Sequence, residues 1–191
     1  NLYGIEQMDL AGMSRQTVIR DGIASYRDPD YLPLYNKIVY SSNASGNFEI
    51  WVADADGDEN SRRQITVGFG DTGRGIFAQR PRWAPDGSGI IFESNIFSVP
   101  YGHNLFERVY HLYYIAYDPE NNSAWIPTGD GSFTTELDFE AISARGTIED
   151  YRITKDDARN HNNVAWLQGA NAVDNHRGRI VLNSSDDQFG D

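Results

Sequence analysis

The sequence predicts an all-β fold built from a repeated antiparallel unit, and three observations carry that prediction. Aromatic residues are 13% of the 191, with 11 Tyr and 9 Phe against only 2 Met, while 18 Gly supply turn positions. Short runs rich in Ile, Val, Tyr and Phe recur between clusters of Gly, Asp, Asn and Pro, the patterning of strands and tight turns. Two long segments also repeat each other in order.

The first repeat runs from Asn36 to Gly57 and closes with Arg62-Arg-Gln-Ile-Thr66. The second runs from Pro81 to Asn95 and continues at Tyr113–Pro119. Ile38–Ser42 matches Ile90–Ser94, and Ile50–Asp54 matches Tyr114–Asp118. Leu2–Gly12 with Arg15–Val18 matches the second half of a repeat, and Gly178–Ser185 matches the Ile-Val-Tyr-Ser-Ser strand. Pro85-Asp86-Gly87 is a turn, because Pro presets φ, Asp bonds nearby amides and Gly accepts positive φ. Gly46-Asn47 and Asp56-Gly57 close the next two hairpins of the first repeat. Each repeat is then a four-stranded antiparallel meander of roughly 40–45 residues. A meander with two apolar faces cannot bury them alone, and radial stacking of such blades is the solution.

These motifs resemble the TolB-like β-propeller repeats. The family's Pro-x-Trp-Ser-Pro-Asp-Gly turn reads here Pro81-Arg-Trp83-Ala84-Pro85-Asp86-Gly87, with Ala84 in place of Ser. Its Ile-x-Phe-x-Ser strand reads Ile90-Ile-Phe92-Glu-Ser94, and its Ile-Tyr-x-x-Asp-x-Asp-Gly element reads Ile50-Trp51-Val-Ala-Asp54-Ala-Asp56-Gly57. The closing Arg-x-Leu-Thr strand reads Arg63-Gln-Ile65-Thr66. Asp30-Tyr-Leu-Pro33-Leu-Tyr stands where the turn motif precedes Ile38, and residues 128–175 match poorly. The expected fold is a β-propeller arc of four-stranded antiparallel blades forming an incomplete ring. Its expected divisions are the second half of a blade at 1–25, a blade at 26–70, a blade at 71–128 with an insertion at 96–109, and a degenerate or partial blade at 129–191. At about 42 residues a blade the chain holds at most about four and a half, so the remainder of a ring is expected from the same or another chain.

Composition narrows the function classes. The chain carries 28 acidic against 16 basic side chains, a net charge of −12. Nucleic acid requires a basic footprint, so no nucleic-acid partner is expected. Zero Cys excludes a disulfide framework, Cys-ligated zinc, iron–sulfur clusters, covalent c-type haem and a thiol nucleophile. No apolar run approaches the roughly 20 residues that cross a bilayer as a helix. The chain begins at Asn1, and is expected to be processed or part of something longer.

Each candidate site has a structural alternative. Asp54-Ala-Asp56-Gly57-Asp58-Glu59-Asn60 resembles a calcium loop, but its Gly comes early and the twelfth position is Ile65. A strand-connecting turn is the expectation. His103, His111, His161 and His176 are the only histidines, and no pair has the helical spacing of a zinc site. There is no Gly-x-Ser-x-Gly elbow, phosphate loop or dinucleotide fingerprint. Gly68–Gly75 reads as an inter-blade loop, and Arg74 and Arg80 as solvated or salt-bridged. Mixed charge and the Asn160-His-Asn-Asn163 cluster make 139–163 read as surface loop. No catalytic, cofactor or metal residue is therefore assigned.

The insertion 96–109 is the one feature the repeat does not require. Long loops in compact repeats carry function, and aromatics with Arg suit an interface. Tyr101, His103, Phe106 and Tyr110 are the candidate interface residues. The expected function is non-catalytic docking of a protein or ligand. The resemblance implies a periplasmic or extracellular location. It also keeps open the propeller of a prolyl-oligopeptidase-like or oligogalacturonate-lyase-like enzyme, or of a larger redox assembly.

Overall fold

A computed structural model describes residues 2–11, 14–96, 110–121, 123–127, 133–134, 152–154, 159–167 and 179–186. Among them there is no α-helix, only strands and single 3-10 turns. Strands β1 (Ile5–Met8) and β2 (Arg15–Ile19) form a hairpin. β3 (Tyr26–Leu32), β4 (Lys37–Ser42), β5 (Glu49–Asp54) and β6 (Arg63–Gln64) form a four-stranded meander in chain order. β7 (Ala78–Trp83), β8 (Gly89–Ser94), β9 (His111–Asp118) and β10 (Ser123–Pro127) form the next, with the two-residue β11 (Phe133–Thr134) added outside. β12 (Arg159–Leu167) pairs with β13 (Arg179–Asp186). All pairings are antiparallel and no closed ring is formed among the described residues.

Side chains of a strand alternate between its two faces, and in β4, β5, β8 and β9 both faces are largely buried. Ile38 and Tyr40 point back to the first hairpin, joining Ile5, Ile19 and Tyr26. Val39, Ile50 and Val52 point forward onto Trp83, Ile90, Phe92 and Tyr113 of the next sheet. Ile91 and Leu112 leave that sheet on its far side and meet Val164 of β12. The sheets are therefore stacked face to face, the central strands splitting their residues between two interfaces. This explains the unbroken apolar run Ile90-Ile91-Phe92, every member of which is fully buried.

The pairings expected from the repeat are present: Ile38 sits opposite Ala53, and Ile90 opposite Ile115. The match of Ile50 to Tyr114 is corrected by this register. Ile50 is equivalent to Leu112, two residues earlier, because β9 runs two residues further before its turn. A two-residue slip preserves which face each side chain occupies, so the pattern alone does not reveal it. The reading of Asn160–Asn163 as loop is also corrected: these residues lie in β12 and pair with β13.

The first strand of each unit shares a feature. β3, β7 and β12 carry one extra residue at the same register position, between Arg27 and Asp30, Gln79 and Arg82, and Asn162 and Ala165. In each bulge a non-glycine residue takes positive φ: Asp28 at 52°, Arg80 at 49° and Asn163 at 53°. On β7 and β12, three amides turned away from their own sheets are taken by carboxylates of the preceding unit. Arg80 N–H donates to Asp28 Oδ2 at 3.4 Å, Trp83 N–H to Asp30 Oδ2 at 2.8 Å, and Asn163 N–H to Glu93 Oε1 at 2.7 Å.

Two substitutions test this packing. Trp83 is 4% exposed and stands edge-on to Tyr117, with ring centres 5.2 Å apart. Trp83→Ala should cost about 3–5 kcal/mol, read as a lowered urea midpoint. Asp30→Ala leaves the Trp83 amide unmet and should cost about 1–3 kcal/mol. An unchanged midpoint for either would contradict the stacking.

Candidate functional site

The end of the stack that carries the insertion is built on equivalent places filled with different chemistry. Glu49 is paired with Ser42, and His111 with Ser94, at the same position of the two sheets. Both are buried. Ile50 N–H donates to Thr66 Oγ1 at 2.8 Å, and Leu112 N–H to Thr154 Oγ1 at 3.1 Å. Ile65 N–H donates to Ile50 O at 2.7 Å, and Ile153 N–H to Leu112 O at 2.8 Å. The run Arg152-Ile153-Thr154 thus repeats the closing Gln64-Ile65-Thr66, inside a region whose sequence reads as degenerate.

Glu49 holds the inter-blade loop. Its carboxylate accepts from the Thr66 hydroxyl and, at 3.0 Å, from Gly70 N–H. Gly70 passes so close to the strand that a Cβ there would lie 2.2 Å from Phe48 O. Burial pushes the Glu49 carboxyl up to about 7, against the opposing bonds from Thr66 and the loop amides. His111 is fully enclosed, with Arg152 Nη2 3.2 Å from its ring nitrogens and Thr154 Oγ1 3.5 Å from Nδ1. Its polar contacts are thus within the protein interior.

Aromatic residues line the same end. Tyr26 N–H donates to Tyr3 O and Ala78 N–H to Phe48 O, both at 3.0 Å, so Tyr3 and Phe48 are equivalent. Tyr110 precedes His111 as Phe48 precedes Glu49. The Arg27 guanidinium lies over the Tyr3 ring at 4.9 Å and the Phe48 ring at 4.6 Å. Phe77 meets Phe48 edge-on, with centres 5.7 Å apart. Of the sequence-derived interface residues, Tyr110 is partly buried at this end, while Tyr101, His103 and Phe106 lie outside the described residues.

The other candidates have local roles. Asp56 Oδ1 accepts from Asp58 N–H at 3.0 Å and Asp58 Oδ1 from Asn60 N–H at 2.9 Å, so this loop spends those carboxylate oxygens on turns. Among the described residues no three metal-ligating side chains converge. Arg74 meets Asp71 at 3.9 Å and Arg80 meets Glu93 at 2.9 Å. A shallow depression of about 370 Å³ at the opposite end is lined by Tyr35, Asp86, Tyr117 and Asp118 among others. Its two carboxylates bond their own turns, at Ser88 and Asn121. Arg27, Glu49 and Glu93 escaped the sequence reading. The signal for Glu49 and Glu93 was a charged residue inside a strand otherwise buried on both faces.

No family model and no curated protein matches the chain. Two solved structures are similar to it. One is a protein assigned as TolB from Agrobacterium tumefaciens, 22% identical over 63% of this chain and 39% of that one, with a TM-score of 0.45. The other is TolB from Acinetobacter baumannii, 23% identical over 68% of this chain and 27% of that one, with a TM-score of 0.43. The chain thus spans well under two thirds of either structure.

Glu49 gives a pH prediction with a definite sign. Its pKa is raised on folding, so the native state holds the proton more tightly than the unfolded chain, whose Glu titrates near ~4.3. The resulting stabilisation is complete below that value and is lost as pH rises through about 7. Wild-type stability should fall relative to Glu49→Gln by about 3–4 kcal/mol over this window, measured as urea midpoints at a series of pH values. Parallel profiles would show that Glu49 is not the titrating group.

Proposed function

We propose that this TolB-like propeller arc is a non-catalytic docking scaffold, working in the cell envelope or outside the cell, and that its partner binds the end bearing the insertion 96–109. One observation carries the reading: β8 leads into the insertion and β9 resumes from it at the end where Tyr3, Arg27, Phe48, Phe77 and Tyr110 gather. Aromatic and Arg side chains concentrate binding energy at protein interfaces. The buried bonds of Glu49, His111 and Thr154 hold that end rigid beneath its loops, which lowers the ordering cost of association. The net charge of −12 favours a basic partner.

The test starts from a partner captured in the native source and then measures its affinity for Tyr101→Ala, Phe106→Ala and Tyr110→Ala. A true anchor should lose about 2 kcal/mol or more with an unchanged urea midpoint. Full affinity in all three would move the interface elsewhere. Turnover of a peptide or uronate substrate by the purified chain, lost in His103→Ala, would replace docking by catalysis.

A further inference from the structure

Arg27 differs from every other cationic side chain the structure describes. Each of the others meets a carboxylate, a carbonyl or an imidazole. Arg27 meets only two aromatic rings, at 4.9 Å and 4.6 Å, and it is exposed. Stacking engages the flat face of the guanidinium. Its N–H donors lie in the plane, in a fork that fits a carboxylate. The side chain is thus ordered before any ligand arrives, while its hydrogen-bonding capacity is unspent.

We propose that Arg27, positioned by Tyr3 and Phe48, is a recognition point for the carboxylate of an Asp or Glu side chain on a protein partner. This rests on the docking reading and names the chemistry of one contact within it. A single fork satisfies one monoanionic carboxylate. Arg80 and Arg82 of the neighbouring strand, and Arg20 beside Gly4, are already committed to Glu93, to the Pro81 carbonyl and to Glu6. No second guanidinium is therefore at hand for a phosphate dianion, which the net charge of −12 also repels more strongly. The same charge draws in a partner that is basic overall. One acidic residue on that partner, seated on Arg27, then fixes the register.

The experiment observes the arginine Nε–Hε resonances of the full chain during three titrations. The probes are N-acetyl-glutamate N-methylamide, its glutamine counterpart and inorganic phosphate. The Arg27 signal should move saturably with the glutamate compound, at a dissociation constant on the order of 10 mM, and not with the glutamine compound. Arg27→Lys should weaken this binding about fivefold or more, and Tyr3→Leu should weaken it while leaving the urea midpoint unchanged. No saturable shift, or tighter binding of phosphate, would overturn the assignment. The docking reading fails separately. If Tyr110→Ala weakens the captured partner and Arg27→Lys does not, docking stands and the Arg27 contact is wrong. If the glutamate compound binds at Arg27 but no partner competes with it, the carboxylate site stands and docking at this end is wrong.

Discussion

The arc depends on how the bulged first strands are tied to one another. An edge strand with bare amides is an invitation to foreign pairing, and β7 and β12 each turn amides away from their own sheets. Asp28 and Asp30 cover two of them on β7, and Glu93 covers one on β12. The donors are placed by the bulges, which rotate Arg80 and Asn163 into positive φ. Such backbone costs about 1–3 kcal/mol per residue, and the carboxylate bonds offset it. Burial raises the pKa of Asp30 and of Glu93 against the bonds that hold them. Arg80 relieves Glu93 further by placing its guanidinium 2.9 Å away. The residue that bulges in one sheet thereby neutralises the staple that holds the next.

Two-sided burial makes the sheets interdependent. The face carrying Val39 and Ile50 is covered by the following sheet, and the face carrying Ile38 and Tyr40 by the preceding hairpin. A single four-stranded meander would expose one of these sets. Stability is therefore carried by the interfaces as much as by the strands, as in other repeat architectures. The connecting loops are released from that duty, apart from the buried anchors beneath them. Glu49 and Asn95 bind the segment between the sheets from two sides, through Gly70 N–H and through Phe77 N–H and Gly75 O.

The sequence revealed the strands and hid the staples. Ile38–Ser42 and Ile90–Ser94 were legible because apolar runs and turn residues report local structure directly. Asp30-Tyr31-Leu32-Pro33 was legible as standing in the place of the turn motif but not as a strand continuous with Pro29, which the register makes equivalent to Pro81. The aromatic place holds Tyr31, which is 51% exposed where Trp83 is buried. Nor was Val164-Ala165-Trp166 recognised, although Trp166 pairs with Ile180 as Trp83 pairs with Ile90. There the Pro is replaced by Val, and polar residues before it disguise a strand. Glu93 was hidden for a different reason. Its partners, Arg80 and the Asn163 amide, become neighbours only when two sheets stack, and nothing local in Ile-Ile-Phe-Glu-Ser specifies them.

The same place in the repeat holds Gly4, Glu49 and His111, facing Arg20, Thr66 and Thr154 in turn. At Gly4 a Cβ would lie 2.7 Å from Arg20 Nε, so the arginine occupies the space that the Glu49 side chain fills in the next sheet. At His111 the imidazole and Arg152 fill it together. Three different sets of side chains thus fill one place in the repeat. Charge and shape at this end therefore differ from sheet to sheet. Function resides in sites carried by a fold rather than in the fold itself. Here that variation lies at the end that also presents the insertion, the aromatic row and the uncommitted Arg27. The opposite end spends Asp86 and Asp118 on its own turns. That asymmetry between the two ends, rather than any single residue, is the physical basis for placing recognition at one of them.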